Sequence, residues 1–172
     1  MTDKYRIRLA EFAELSFLNE LENAAAMVFQ DTNYALEINQ APLSLELLQR
    51  QQQQGLIWVA AKENNQLVGF AVVLIIDKSP HLHELSVIPE YSRQGIGTEL
   101  THRIINGAKQ KNFNQLTLST FRDIPWNAPF YRKMGFSEIN QSDISPGLEN
   151  IRNQEAKAGL PIDERVLMVF RF

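Results

Sequence analysis

The chain has 172 residues, 44% of them hydrophobic, and a net charge of −3 from 17 basic and 20 acidic side chains. That length suits one domain with a real core, and the mixed charges leave no basic stripe of the kind a general nucleic-acid binder carries. With no cysteine, disulfides, thiolate catalysis and cysteine-held metals are excluded.

The opening "MTDKYRIRLAEF" is charged and has no apolar signal core. The longest apolar stretch, Leu67 to Ile76, is about half a membrane span. A soluble cytoplasmic protein with no membrane partner is the expectation. Tyr5 to Leu9 reads as a short strand. Leu15, Leu18, Leu21, Ala25 and Val28 recur at three- and four-residue steps, the mark of an amphipathic helix. Gln30 to Pro42 is polar and turn-rich. Ser44 to Gln54 reads as a helix with Ser44 as N-cap and Gly55 as its stop; its "QRQQQQ" run reads as a solvated helix end.

Leu56–Ala61 and Leu67–Ile76 form two strands joined around "ENNQ", where asparagine tolerates left-handed turn conformations. "FAVVLII" is apolar at every position, which predicts a strand covered on both faces. A further strand runs from Leu82 to Ile88. Ile96, Leu100, Ile104 and Ala108 make a helical stripe, and Lys109 and Lys111 suit the negative end of that helix. Gln115–Thr120 is another strand. "NAPFYRKM" is a short helix, with Asn127 as its cap and Pro129 in the first turn, where no N–H partner is lost. Pro146 and Gly159 bracket a last helix with Leu148, Ile151 and Ala158 on one side, and "RVLMVFRF" closes the chain as a strand. This mixture of hairpins and strand–helix–strand units predicts one α/β (α+β) domain over residues 1–172 with a mixed sheet.

The stretch "VIPEYSRQGIGTEL" (Val87–Leu100) places Gly95 and Gly97 where a helix begins. A helix N-terminus offers free N–H groups and partial positive charge, which suits phosphate. Bare glycines let a pyrophosphate reach the backbone of Gln94, Gly95, Ile96, Gly97 and Thr98, and Arg93 adds a charged contact. The plain alternative is a tight strand-to-helix turn with no ligand. Leu100 breaks G-x-G-x-x-G, and Thr98 follows Gly97 without the lysine of a Walker loop.

The order that remains, Val87, Pro89, Tyr91, then Gly95 and Gly97, resembles the phosphate arm of the GNAT acetyltransferase superfamily. Ser92 stands where that family has arginine or glutamine, and the basic residue is Arg93. "NAPFYRKMGF" (Asn127–Phe136) resembles the family's late signature through Phe130, Tyr131, Gly135 and Phe136. The resemblance covers Val59 to Ile139, and "WNAPFY" is similar to a bacterial subgroup of the family. It implies a central mixed sheet flanked by helices, with the fourth and fifth strands splayed. It also implies acetyl-CoA as co-substrate, with pantetheine along the backbone of Leu85, Ser86 and Val87.

Acetyl transfer to an amine needs a base, because a lysine-like amine (pKa ~10.4) is mostly protonated at neutral pH. Glu84 is the candidate, in the place where many GNAT enzymes carry a glutamate; an ordinary strand-end glutamate is the alternative. His83, on the opposite strand face, is the competing base. Tyr131 matches the family's general acid and can protonate the leaving thiolate; a packed aromatic beside Phe130 is the alternative. Asn127 either touches the cofactor or only caps its helix. Ser86 lacks a nucleophile-elbow setting, so direct transfer in a ternary complex is expected. His81, His83 and His102 form no metal cluster with recognisable spacing, and no metal is expected.

In this fold the segment after the first helix walls the acceptor. Here it carries Asp31, Tyr34 and Glu37, two acids and no base, which suits a small cationic primary amine; a loop whose acids simply face water is the alternative. A protein or peptide N-acetyltransferase and a non-catalytic acyl-CoA sensor remain open as other functions on the same fold. A nucleic-acid acceptor is not expected, and a homodimer is compatible with the chain.

Overall fold

The computed structural model describes residues 4–34 and 42–172. Seven strands are hydrogen-bonded in the order β1-β2-β3-β4-β5-β7-β6: β1 Tyr5–Leu9, β2 Ile57–Lys62, β3 Leu67–Ile76, β4 Ser79–Val87, β5 Gln115–Phe121, β6 Ser137–Glu138 and β7 Arg165–Arg171. Among the described residues five α-helices accompany them: α1 Leu15–Ala25, α2 Leu45–Gln53, α3 Ile96–Gln110, α4 Ala128–Lys133 and α5 Pro146–Lys157. The sheet is mixed: β1, β2 and β3 pair antiparallel, β4 and β5 pair parallel, and β7 pairs antiparallel with both β5 and β6. Among the described residues no helix is long and apolar enough to cross a membrane.

The chain forms two compact units. One holds the residues up to Val73 together with Glu84–Ile104; the other holds Leu74–His83 and Ile105–Phe172. In the first, β1 pairs with β2 from Tyr5↔Lys62 to Leu9↔Trp58, and β2 pairs with β3. Its core joins Leu18, Leu48, Ile57, Val59, Phe70 and Val72, all buried. Leu18 lies on the stripe read along α1, and Phe70 and Val72 lie in the stretch read as apolar at every position, which is buried from Val68 to Val73. The helix expected to run to Val28 ends at Ala25 and tightens into a 3₁₀ turn, Ala26–Phe29. Ser44 caps α2 as expected, accepting from the Leu47 N–H at 3.2 Å. The glutamine run is not a solvated end throughout. Gln51 is buried and donates to the Val73 carbonyl at 2.7 Å, and Gln52 donates to the Ala10 carbonyl at 3.2 Å. A glutamine amide can satisfy a strand-edge carbonyl that apolar neighbours cannot.

In the second unit β5 pairs with β7 along its whole length, from Gln115↔Arg171 to Phe121↔Arg165. β4 pairs with β5 through His81↔Thr117 and Leu82↔Leu118. Two details depart from expectation. β4 begins at Ser79, three residues early, because Asp77 (φ 48°) and Lys78 (φ 65°) make a two-residue turn straight after β3. That turn needs positive φ at both positions, and without an Asn-Gly or Asp-Gly pair it leaves little trace in sequence. The burial of β3 also lapses beyond Val73, and Ile75 is 41% exposed. Asp77 has a further use: its Oδ2 accepts the Gly147 N–H at 2.8 Å, placing a carboxylate on the positive end of α5.

Candidate active site

The segment from β4 to α3 is built to leave backbone open. Pro89–Tyr91 forms a 3₁₀ turn. Lys62 pins it by donating to the Tyr91 hydroxyl at 2.8 Å, and Tyr5 donates to the Gln94 carbonyl at 3.3 Å. Arg93 then takes φ 61° and Gly95 φ 85°. Left-handed backbone costs a non-glycine residue of order 1 kcal/mol, so Arg93 is held there by the tight loop around it. The Gly95 carbonyl accepts the Glu99 N–H at 2.9 Å, which makes Gly95 the residue that starts α3. The N–H groups of Gly95, Ile96, Gly97 and Thr98 are therefore the four that lack an intrahelical acceptor. Arg93, Gln94 and Gly95 are exposed, and Gly97 and Thr98 half-buried, while Ile96 anchors the turn in the core. An added Cβ on Gly95 meets only the Tyr5 hydroxyl, at 3.8 Å, so the surface above it is open. A row of aligned N–H groups behind an exposed arginine fits a pyrophosphate.

β3 approaches the same place closely. A Cβ on Gly69 would lie 3.0 Å from the Ser86 carbonyl oxygen and 3.2 Å from a methyl of Ile96. Gly69 thus sets how near β4 and the head of α3 lie to β3. Leu85 and Val87 are half-buried and Ser86 is buried. Glu84, half-buried on β4, accepts the Ser86 hydroxyl on Oε1 at 2.5 Å, as two residues on one strand face can.

His83 is solvent-accessible on the opposite face of β4, yet surrounding protein lowers its pKa. Desolvation is the main cause, Glu155 pulls the other way and Arg165 adds to the lowering. His81 is fully buried, with Nδ1 2.9 Å from the Thr117 hydroxyl. Burial, then His83 and Arg165, push it down to about 3, so it is a neutral core histidine. His102 lies on α3. Among the described residues no group of acids and histidines could hold a metal.

In the second unit Tyr131 on α4 is 6% exposed. Its ring packs edge-on against Phe130 (5.0 Å) and Phe136 (5.5 Å). Asn127 stands at the N-cap position of α4, but its side chain makes no capping hydrogen bond. Its Nδ2 instead donates to the Thr120 hydroxyl at 2.8 Å, and its Oδ1 is buried without a partner. The capping reading of that side chain is therefore wrong: the amide ties α4 to β5 and holds one orphaned acceptor.

The acceptor-wall residues are spread out. Asp31 is exposed and Tyr34 half-buried, in a turn where the Thr32 hydroxyl donates to the Phe29 carbonyl at 2.7 Å. Glu37 lies outside the described residues. One partly buried carboxyl group that the sequence reading passed over is Glu22 on α1. Burial and the charge of Glu84 raise its pKa to about 7. The available signal was an acid four residues after Leu18 and three before Ala25, inside an apolar stripe.

Comparisons with known proteins agree with the geometry. The model of the acetyltransferase (GNAT) family matches residues 16–136. The [ribosomal protein bS18]-alanine N-acetyltransferase of Haemophilus influenzae is 28% identical over 99 residues, 58% of this chain and 67% of that one. Among solved structures, a GNAT-family acetyltransferase from Staphylococcus aureus Mu50 superposes with TM-score 0.72 at 17% identity, covering 98% of this chain and 99% of the other. The PaiA N-acetyltransferase of Thermoplasma acidophilum, solved with coenzyme A, gives 0.68 at 19% identity, covering 98% and 99%. With the family model matching residues 16–136, the chain belongs to the GNAT acetyltransferases.

Proposed function

We propose that this enzyme binds acetyl-CoA with its pyrophosphate on the backbone from Gln94 to Thr98 and its pantetheine along Leu85 to Val87, and passes the acetyl group directly to a primary amine. The observation that carries the reading is the opened head of α3. Gly95 in left-handed conformation starts the helix with four N–H groups unpaired by it, under open space. Arg93 supplies the neighbouring positive charge, and Asn127 Oδ1 a buried acceptor in want of a donor.

Glu84, oriented by Ser86, takes one proton from the ammonium. The freed lone pair forms the C–N bond as the C–S bond of the thioester breaks. Tyr131 protonates the departing sulfur and regains a proton from the acylated nitrogen. No atom of the protein is acylated.

The acceptor we favour is a small cationic amine, because the segment after α1 carries Asp31 and Glu37 and no basic residue. A second reading has one specific support: the Haemophilus relative is named as a ribosomal protein bS18-alanine N-acetyltransferase. An amine panel that pairs polyamines and lysine analogues with short peptides beginning in alanine tests both. Thiol release with the small amines supports the first, and release with the peptides alone replaces it by the second.

A further inference from the structure

Tyr5 and Lys62 stand directly opposite each other on the antiparallel pair β1–β2, so their side chains leave the same face of the sheet. Both end on the loop that leads into α3. Lys62 Nζ donates to the Tyr91 hydroxyl at 2.8 Å, and the Tyr5 hydroxyl donates to the Gln94 carbonyl at 3.3 Å. One cross-strand pair therefore holds the loop on either side of Arg93. Arg93 itself takes φ 61°, and Gly95 follows at φ 85°. An arginine keeps that left-handed conformation only where its surroundings over-determine it.

The outer ends of the loop are fixed by other means. The Ile88 N–H donates to the Val68 carbonyl at 3.0 Å on one side, and Ile96 is buried in the core on the other. Neither anchor sets the direction of the peptide between Gln94 and Gly95. That peptide is trans, and a trans peptide is planar with its C=O and N–H on opposite sides. Holding the Gln94 carbonyl on the Tyr5 hydroxyl therefore turns the Gly95 N–H away from Tyr5. This N–H is the first of the four donors at the head of α3. The same hydroxyl lies 3.8 Å from where a Cβ on Gly95 would sit, and no other atom is listed within 4 Å of that point, so Tyr5 flanks the cradle without filling it. Released from Tyr5, the peptide is free to turn over, because the glycine after it accepts either orientation. Turned over, it presents a carbonyl oxygen where a phosphate needs a donor.

We propose that Tyr5 and Lys62 are positioning residues for coenzyme A: Lys62 fixes the start of the pyrophosphate loop through Tyr91, and Tyr5 aims the Gly95 N–H through Gln94. This rests on the reading that the pyrophosphate lies on the backbone from Gln94 to Thr98. Neither side chain needs to touch the ligand. Each acts through the loop it holds.

The test is an NMR titration of ¹⁵N-labelled protein with coenzyme A and, separately, with pantetheine, which lacks the pyrophosphate. Coenzyme A should move the Gly95 and Gly97 amide signals of the wild type. Tyr5→Phe keeps the ring and removes only the hydroxyl. It should shift the Gly95 amide before any ligand is added. It should also weaken coenzyme A binding roughly three- to tenfold, the worth of one ordinary hydrogen bond. Lys62→Met should weaken binding to a similar degree, and Lys62→Arg, which keeps a donor for Tyr91, should recover most of the loss. Pantetheine, followed through the amides of Leu85 to Val87, should bind the wild type and every variant alike. Wild-type affinity for coenzyme A in folded Tyr5→Phe, a loss that pantetheine shares, or a Lys62→Arg variant as weak as Lys62→Met would each overturn the proposal. Failure of the underlying reading looks different and ends both: coenzyme A binds the wild type and leaves the Gly95 and Gly97 amides unmoved.

Discussion

Ser86 Oγ lies 2.5 Å from Oε1 of Glu84, two residues back on the same strand. The hydroxyl donates to that carboxylate oxygen. A short bond to a charged acceptor is among the stronger hydrogen bonds in proteins, and it fixes the rotamer of Glu84. Ser86→Ala should lower kcat roughly tenfold or more through lost alignment, with KM little changed. Steady-state kinetics at fixed pH checks this; equal kcat would mean that Glu84 is oriented by other groups.

Gly69→Ala would put a methyl 3.0 Å from the Ser86 carbonyl and 3.3 Å from a methyl of Val87. Overpacking of this kind costs roughly 1–3 kcal/mol. It should also displace the backbone proposed to hold pantetheine. Denaturant unfolding and calorimetry with coenzyme A should show both losses.

Two other glycines should respond with opposite signs. Gly95→Ala forces a Cβ into φ 85° and should cost about 1–2 kcal/mol together with coenzyme A affinity. Gly107→Ala, inside α3 with nothing within 4 Å of the new methyl, should gain roughly 0.5–1 kcal/mol through helix propensity. Chemical denaturation of the two variants in parallel gives the comparison.

Tyr131→Phe keeps the ring that packs against Phe130 and Phe136 and removes only the hydroxyl. An unchanged melting temperature with kcat lower by roughly 10²–10⁴, the usual share of one acid–base group, is expected. Full activity would reassign Tyr131 to packing.

Glu22 and His81 tilt stability in opposite directions with pH. Glu22 is raised from 4.5 to about 7 on folding, so the native state holds its proton more tightly. The stability this gives is complete below about pH 4.5 and lost as pH rises through 7. His81 is lowered from 6.5 to about 3, so stability is lost as pH falls below 6.5. Glu22→Gln should therefore match the wild type at pH 4 and exceed it at pH 8. The gain should be under about 3 kcal/mol, since residual solvation reduces the full linkage value. Urea unfolding at the two pH values tests the sign.

Strands and helices with a clear period were legible in sequence, because burial on one face imposes that period. The core residues Leu18 and Leu100 follow from it, and Phe70 from a strand apolar at every position. The head of α3 was legible for another reason: glycine at a helix start is costly unless the backbone must turn left-handed or lie bare, and Gly95 does both. What the sequence hid depends on contacts between distant residues. Asn127 looks like a cap until its amide is found on Thr120. Gln51 looks solvated until the Val73 carbonyl is found beneath it. Glu22 looks like one more helix acid until its burial and the Leu43 N–H that it accepts are found. β6 is two residues long, too short to carry a period.

The most direct measurement of the central claim follows the acetyl group itself. Protein is incubated with acetyl-CoA carrying ¹³C in the acetyl group, with and without an accepted amine, and thiol, amine and protein masses are read together. Thiol release that requires the amine, with the label on the amine nitrogen and the protein mass unchanged, is the result predicted for direct transfer in a ternary complex. Label on the protein, or coenzyme A binding with no thiol released for any amine, would contradict it.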